Sequence, residues 1–252
     1  MSELRRAADA LRHAGKIVVF TGAGISAESG IPTFRDELTG LWSMYDPQRL
    51  ETANAFRENP ALVWSFYLWR RRQAKEAKPN LAHLLVQSLE SSRRQVSVIT
   101  QNIDDLHERA GSTDIIHLHG SLNVPKCFAC HRPAELAPEQ FAVPAHGLEK
   151  EPPRCERCNG RLRPGVVWFK EDLPVGAWKG ALTNARECDV LLSIGTSGVV
   201  TPAADIPVIA HSAGATVIHV NLEDVSLEGE NEVMLVGKAT EVLASLFEAA
   251  GI

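Results

Sequence analysis

The chain has 252 residues, a formal net charge of −5 and 44% hydrophobic residues, which is the composition of an ordinary globular protein. Its mildly acidic balance argues against sequence-independent binding to DNA or RNA, which rests on neutralising phosphates with Lys and Arg. Charges run through the N-terminal segment, and no charge-free run provides the roughly 20 apolar residues of a membrane helix. We therefore expect a cytoplasmic protein without a secretory signal or a membrane span.

Helical and strand patterns alternate along most of the chain. The first helical pattern, "ELRRAADALRHAG", ends at Gly15 and is followed by "KIVVF", a β-branched run typical of a buried parallel strand. Similar strand patterns recur at 96–100, 114–120, 189–195 and 216–221, and helical patterns lie at 79–93, 102–110, 203–213 and 237–250. This alternation predicts an α/β fold with a Rossmann-type, doubly wound parallel sheet.

Two regions interrupt the alternation. Residues 37–78 look helical and hold no convincing strand, whereas residues 121–165 contain four Cys together with several Pro. Both read as insertions into the sheet, and together they predict a smaller domain. We expect one unit over 1–252, in which 1–36, 79–120 and 166–252 form the large domain, and the helical 37–78 and the cysteine-containing 121–165 form the small one.

A glycine-rich loop directly follows the strand "KIVVF". Gly22, Gly24 and Ala27 have the G-x-G-x-x-G/A spacing, in which the second Gly lets the backbone approach a pyrophosphate. A helix beginning near Ser26 would point its N-terminal amides at the phosphates. A Gly-rich turn without a ligand is the alternative, but the preceding strand favours nucleotide binding.

The segment after this loop departs from an ordinary dehydrogenase. Such an enzyme has a second strand and an acid about 20 residues past the motif to hold the ribose. Here "PTFRDELTGLW" and a helical pattern follow, and the next strand pattern begins only at Val96. Because Phe34, Arg35 and Asp36 are brought toward the same site, we expect chemistry on the nucleotide rather than hydride transfer.

Four cysteines form two C-x-x-C pairs, Cys127 with Cys130 and Cys155 with Cys158. This is the form of a zinc ribbon, and four thiolates fill a tetrahedral shell and leave no position for a substrate water. We therefore predict one structural Zn²⁺, with a redox pair as the minor alternative. Cys188 lies before a strand pattern and reads as a small core residue.

Polar residues follow the strand pattern "VSVIT". Gln101, Asn102 and Asp104 carry amide and acid groups suited to ribose hydroxyls and a carboxamide. The alternative is that Asn102 or Asp104 caps the following helix. In the next strand pattern, His117 and His119 point to one face, and one of them is expected to be a general base.

Taken together, the motifs resemble those of the sirtuins, the NAD-dependent protein lysine deacylases. The matching stretches are "GAGISAESGIPTFRD", "TQNIDDLHERAG", "HLHGS", the C-x-x-C pairs, "RPGVVWFKEDLP", "GTSGVV" and "VNLE", in the family's order. The resemblance implies a Rossmann domain, a zinc-plus-helical domain and a cleft between them. NAD and an acyl-lysine protein would enter that cleft from opposite sides.

The resemblance also implies residue roles. His119 matches the catalytic base, which takes a proton from a ribose hydroxyl after the acyl oxygen has attacked C1′ and nicotinamide has left. The products would be free lysine and 2′-O-acyl-ADP-ribose. Lys170 stands where family members commonly have Gly. The implied NAD contacts are Gly22, Ala23, Gly24, Phe34, Arg35, Gln101, Asn102, Ile103, Asp104, Gly195, Thr196, Ser197, Asn221, Leu222, Glu223 and Ala239, and the implied peptide contacts are Val167, Trp168 and Phe169.

A run of arginines ends the hydrophobic pattern at 61–76. On one helix, Val63, Tyr67, Arg70 and Ala74 share a stripe, which indicates that Arg70 is partly buried and either has a partner or reaches water with its head. Tyr-x-x-Arg resembles the sirtuin class that removes succinyl and malonyl groups, so we expect Tyr67 and Arg70 to bind an acyl carboxylate. Protein mono-ADP-ribosylation and NAD sensing without turnover are the alternative functions, and the oligomeric state stays open.

Overall fold

The computed structural model describes residues 2–33, 46–90, 94–145, 149–227 and 229–252. In chain order, the strands in this part of the chain are β1 Lys16–Thr21, β2 Gln95–Thr100, β3 Ile115–His117, β4 Gly120–Cys127, β5 Leu162–Val166, β6 Val190–Ile194, β7 Thr216–Asn221 and β8 Glu232–Val236. The helices are α1 Glu3–His13, α2 Ala23–Ala27, α3 Pro47–Leu50, α4 Ala53–Glu58, α5 Pro60–Glu76, α6 Leu81–Glu90, α7 Leu106–Ala110, α8 Val175–Glu187, α9 Ile206–Ser212 and α10 Ala239–Ala250. Within the described ranges, no helix is long and apolar enough to cross a membrane.

Six strands form one parallel sheet in the order β3-β2-β1-β6-β7-β8. Successive side chains of β1 enter two different cores, because strand residues alternate between faces. Ile17 and Val19 pack with α1, α6 and α10, whereas Val18 and Phe20 pack with α8 and α9. A sheet covered by helices on both faces explains why its strands read as continuous apolar runs. The predicted α/β fold class is confirmed.

A second, smaller assembly lies beside this sheet. Strands β4 and β5 form an antiparallel ribbon, and α3, α4 and α5 pack near it. A third hydrophobic cluster lies between these helices and the ribbon. It contains Phe56 and Phe66 from the helices, Val166 from β5 and Trp168 from the segment after β5. Each fully buried aromatic of this kind contributes about 1.5–3 kcal/mol of hydrophobic stabilisation.

The structure corrects several predicted element boundaries. The helix predicted at 102–110 begins only at Leu106, because residues 101–105 form a loop. Strand β8 was not predicted, and neither was helix α8, whose first turn contains a glycine. Helix α2 begins at Ala23 rather than near Ser26, since Gly22 occupies its N-cap position.

Candidate active site

A cleft of about 390 Å³ opens at the carboxyl edge of the sheet. It lies next to β1 and β6, where the strand order reverses, which is where parallel α/β sheets bind ligands. Its walls are the loops after β1, β2, β6 and β7, one face of α5 and the segment after β5. The predicted site residues that line it are Gly22, Ala23, Gly24, Tyr67, Arg70, Gln101, Asn102, Ile103, Asp104, His119, Val167, Trp168, Phe169, Gly195, Thr196, Ser197, Asn221, Leu222 and Glu223.

Three predicted NAD contacts are not among the lining residues. Phe34 and Arg35 lie outside the described residues. Ala239 is the first residue of α10, is 7% exposed and belongs to the hydrophobic core on one side of the sheet. A role of these three residues in NAD binding therefore stays a prediction.

Two glycine-bearing loops pack directly against each other beside the cleft. The N–H of Gly22 donates to the carbonyl of Ile194 at 3.0 Å, and the N–H of Gly24 donates to that of Gly195 at 3.0 Å. A Cβ atom on Gly24 would lie only 2.6 Å from the Cα of Gly195. Position 24 therefore requires glycine for contact between the loops, before any ligand is considered. The result is a wall of main chain, which suits a pyrophosphate.

The loop after β2 is tied to the glycine loop by side-chain hydrogen bonds. Asn102 Nδ2 donates to the carbonyl of Gly22 at 3.1 Å and to Ser26 Oγ at 3.2 Å. The Ser26 hydroxyl donates to one oxygen of Asp104 at 3.1 Å, and the other oxygen accepts the N–H of Leu106 at 3.1 Å. Burial raises the pKa of Asp104. Asp104 thus has the capping bond, and Asn102 braces the loop that borders the cleft.

His119 has one nitrogen committed and one available. Its Nδ1 lies 2.9 Å from the carbonyl oxygen of Gln101, which can only accept, so Nδ1 carries the hydrogen and Nε2 is the basic nitrogen. Burial lowers the pKa of His119, and the hydrogen bond to Gln101 offsets part of this effect. In the part of the chain described here, Nε2 has no hydrogen-bond partner. It can therefore accept a proton in the cleft.

The neighbouring His117 is in a different situation. Its Nε2 lies 2.6 Å from a carboxylate oxygen of Glu108, and its Nδ1 lies 3.2 Å from the carbonyl of Asn102. Burial lowers the pKa of His117, but the hydrogen bond to Glu108 and its charge raise it overall. Both ring nitrogens are engaged and His117 does not line the cleft, so His119 is the better general base.

The loops after β6 and β7 lie side by side at the other end of the cleft. Asn221 Nδ2 donates to the carbonyl of Thr196 at 2.7 Å, and Asn221 Oδ1 accepts the N–H of Leu222 at 2.8 Å. Leu222 is 67% exposed, so it offers apolar surface next to these polar groups. This combination suits a nucleoside, which has a flat apolar base and a polar sugar.

Helix α5 brings Tyr67 and Arg70 to the cleft. Tyr67 is 3% exposed, and its hydroxyl accepts a hydrogen bond from Trp168 Nε1 at 3.0 Å. Burial raises the pKa of Tyr67 well above its usual value, so the hydroxyl keeps a hydrogen to donate. Arg70 forms an ion pair with Glu51. The sequence left open whether Arg70 has a partner or reaches water, and Glu51 is that partner.

The segment after β5 connects His119 to the helical side of the cleft. The N–H of Val167 donates to the carbonyl of His119 at 2.8 Å, and the N–H of Phe169 donates to that of Glu51 at 3.0 Å. Lys170 has a φ of 69°, in the left-handed region that favours glycine. This conformation would suit the glycine that the resemblance implies at this position.

The buried Arg163 packs against the segment after β5. Arg163 is 2% exposed, and its guanidinium donates to the two carboxylate oxygens of Glu171 at 2.5 and 2.9 Å. The guanidinium carbon also lies 3.3 Å from the ring centroid of Trp168. This bidentate pair satisfies both charges. The charge of Arg163 is therefore balanced by Glu171, and its guanidinium packs against Trp168 and not against a ligand.

The four cysteines of the two C-x-x-C pairs come together as predicted. Their sulfur atoms all lie within 4.8 Å of one another at the end of the β4–β5 ribbon. Four sulfur donors at this separation fit a tetrahedral Zn²⁺ of the closed, structural type. Cys188 is buried in the hydrophobic core, apart from this group.

Gln73 and Glu51 are among the lining residues that were not identified from the sequence. Gln73 lies on α5 three residues beyond Arg70, so helical spacing could have found it. Glu51 follows the short helix α3, and no local pattern marks it, because its partner is 19 residues further along the chain.

A parallel sheet with a glycine loop opening onto a cleft at its carboxyl edge is the architecture of dinucleotide-binding proteins, and this protein is of that class. The profile of the Sir2 family matches residues 22–202. An NAD-dependent protein deacylase of Pseudomonas putida is 66% identical over 252 residues, which cover 100% of this chain and 96% of that protein. The chain belongs to the Sir2 family, which confirms the resemblance to sirtuins.

Solved structures agree with this assignment. The crystal structure of a Sir2 homologue in complex with NAD superposes with a TM-score of 0.88 at 40% identity, covering 100% of this chain and 94% of that one. A Sir2 protein with a deacetylated p53 peptide and 3′-O-acetyl ADP ribose superposes with a TM-score of 0.82 at 30% identity, covering 100% of both chains. The similarity thus includes relatives bound to NAD and to a peptide.

Proposed function

We propose that this protein is an NAD-dependent protein lysine deacylase whose general base is His119. The observation that carries the proposal is the available Nε2 of His119 inside a cleft built next to a glycine loop. The name of the Pseudomonas putida relative and the ligands of the solved relatives support the same activity. Its substrates are NAD and acylated lysine side chains of proteins.

Different residues along the cleft bind different parts of NAD. Gly22, Gly24 and Gly195 offer main chain to the pyrophosphate, and the loops at 196–197 and 221–223 receive the adenosine. Asn102 keeps the loop after β2 against the glycine loop, where the nicotinamide ribose is held. His119 then accepts a proton from a ribose hydroxyl, so that this hydroxyl can attack the acyl carbon. The protein supplies orientation and one base, and the reacting nucleophiles come from the substrates.

The four-cysteine group has a structural part in this scheme. Zn²⁺ held by Cys127, Cys130, Cys155 and Cys158 would fix the end of the β4–β5 ribbon. Because all four ligands come from the protein, the ion supplies no open coordination position to the reaction. The chemistry stays with the cleft.

The proposal is tested by nicotinamide release with an acetyl-lysine peptide, followed by mass spectrometry of the products. We expect free lysine peptide and O-acyl-ADP-ribose, and a loss of at least about 100-fold in kcat/KM for His119→Ala, the typical effect of removing a general base. His13→Ala, an exposed histidine on α1, serves as the control and keeps full activity. ADP-ribose attached to the peptide, or no release with any acyl peptide, would overturn the proposal.

A finer proposal concerns the acyl group. Tyr67 and Arg70 lie in the cleft near the segment proposed to hold the peptide, and both can donate hydrogen bonds to an acyl chain that ends in a carboxylate. On this basis the enzyme also removes succinyl and malonyl groups. Arg70→Met is expected to lower kcat/KM for a succinyl-lysine peptide about tenfold more than for an acetyl-lysine peptide.

The matched control for this variant is Arg72→Met, because Arg72 is an exposed arginine on the same helix. Both peptides should retain their kcat/KM in that control. Equal losses for the two peptides in Arg70→Met would mean that Arg70 only supports the fold.

A further inference from the structure

The guanidinium of Arg70 already has an anionic partner inside the cleft. Glu51 forms an ion pair with Arg70, and the two side chains are 10% and 22% exposed. Both residues line the same cleft as Tyr67, Trp168 and Phe169. This ion pair is therefore part of the wall against which an acyl chain would lie.

The position of Glu51 is fixed by its backbone. Its carbonyl accepts the N–H of Phe169 at 3.0 Å, and the next residue, Thr52, is the N-cap of α4, whose hydroxyl accepts the N–H of Ala55 at 3.1 Å. The main chain of Glu51 is thus part of the junction between α3, α4 and the segment after β5. Its side chain is 10% exposed and is paired with Arg70, so the carboxylate belongs to the cleft wall and not to the open surface.

Two arginines near this end of the cleft already have anionic partners. Arg163 is paired with Glu171, and Arg70 is paired with Glu51. An acyl chain that ends in a carboxylate would bring a second carboxylate to one guanidinium. That carboxylate would have to share the charge and the donors of Arg70 with Glu51, whereas an acetyl group brings no charge. Arg70 engages Glu51 through Nη1, so its other donors can still contact a ligand.

Resting on the proposed deacylase function, we propose that Glu51 is a specificity-determining residue that opposes acidic acyl groups by acting as the built-in counter-ion of Arg70. Tyr67 and Arg70 attract a terminal carboxylate, and Glu51 weakens that attraction. The balance of the three residues sets the ratio of desuccinylation to deacetylation. The protein therefore favours uncharged acyl groups more strongly than Tyr67 and Arg70 alone would dictate.

The test compares kcat/KM for succinyl-lysine and acetyl-lysine versions of one peptide in Glu51→Gln, which keeps the size of the side chain and removes its charge. We expect the succinyl-to-acetyl ratio to rise about tenfold, the scale of one pKa unit of charge interaction. Glu51→Asp keeps the charge and should leave the ratio low. Glu187→Gln, which removes an exposed acid paired with Lys16, is the matched control and should not change the ratio.

A double variant separates this role from a purely structural one. If Glu51 acts through Arg70, Glu51→Gln should not raise the ratio when Arg70→Met is also present, because the two effects are then non-additive. A ratio that is unchanged or lower in Glu51→Gln, or that rises equally in the double variant, would overturn the proposal.

The affinity for acyl-lysine peptides, measured without turnover, tests the role of Glu51 independently of the deacylase activity. The affinity of the succinyl-lysine peptide, measured by calorimetry without NAD, should increase in Glu51→Gln relative to that of the acetyl-lysine peptide. Nicotinamide release by the unmodified enzyme tests the deacylase activity separately. An enzyme that turns over acetyl-lysine while the relative affinities stay the same in Glu51→Gln would refute only the role of Glu51.

Discussion

Two opposing influences act on the pKa of His119. Burial lowers this pKa below the ordinary value of 6.5, and the hydrogen bond to the carbonyl of Gln101 raises it in part. A general base must be unprotonated, so activity is lost as pH falls through this pKa. We therefore expect the acid limb of kcat/KM to have an apparent pKa below 6.5.

The measurement is nicotinamide release with an acetyl-lysine peptide between about pH 5 and pH 8, the range in which histidine titrates. An acid limb with an apparent pKa above 6.5 would contradict the assignment, since only His117 has a pKa raised above that value among the two histidines of this strand region.

Helical spacing within α5 predicted which side chains share one face of the helix. Tyr67 and Arg70 share a face of α5 because three residues make nearly one helical turn, and both line the cleft. Glu51 could not be predicted in this way. Its contact with Arg70 depends on how the chain turns between α3 and α4, and no periodicity describes such a path.

The contact between the glycine loop and the loop after β6 sets the shape of the cleft. A Cβ atom on Gly24 would lie 2.6 Å from the Cα of Gly195 and 3.0 Å from its carbonyl oxygen. Gly24→Ala must push these two main-chain segments apart. We expect a loss of about 1–3 kcal/mol in the free energy of unfolding, as for other overpacking changes, and strongly reduced nicotinamide release.

Urea denaturation and the activity assay check this expectation together. Gly176→Ala is the matched control, because Gly176 lies in α8 with no atom within 4 Å of its added Cβ. Alanine there should leave stability unchanged or raise it by up to about 1 kcal/mol. If Gly24→Ala behaved like this control, the loops would not need to be in contact.

The predicted elements were most accurate where apolar runs are long. Strands β1, β2, β6 and β7 were recognised because central parallel strands are buried on both faces. Strand β8 was missed because it lies at the edge of the sheet, with β7 as its one neighbour in the described part of the chain, and Val236 is 62% exposed. The start of α7 was missed because Asp104, which the prediction placed inside the helix, lies in the preceding loop and caps the helix by accepting the N–H of Leu106.

Two buried histidines link the stability of the protein to pH. The rings of His83 on α6 and His107 on α7 lie 5.0 Å apart. Burial lowers the pKa of His83 to about 3 and that of His107 to about 4, and His107 adds a smaller lowering effect on His83. Both are neutral in the folded protein, whereas an unfolded chain binds protons near pH 6.5.

The unfolded state therefore takes up more protons than the folded state between about pH 4 and pH 6.5. The stabilisation is complete above the unfolded pKa and is lost as pH falls through this window. We expect the free energy of unfolding, from urea denaturation, to decrease by at least about 1–2 kcal/mol between pH 7 and pH 5. A stability that is constant or rises on acidification would contradict this linkage.

The third hydrophobic cluster contains residues of α5 and of the segment after β5, which are far apart in the sequence. During synthesis, α5 therefore leaves the ribosome well before its packing partner. Phe66 on α5 packs in one cluster with Trp168, which comes 92 residues after Glu76, the last residue of that helix. A ribosome adds about 5–20 residues per second, so roughly 5 to 18 s pass between the synthesis of α5 and that of Trp168. During this interval the nascent chain presents a hydrophobic surface that a chaperone can bind.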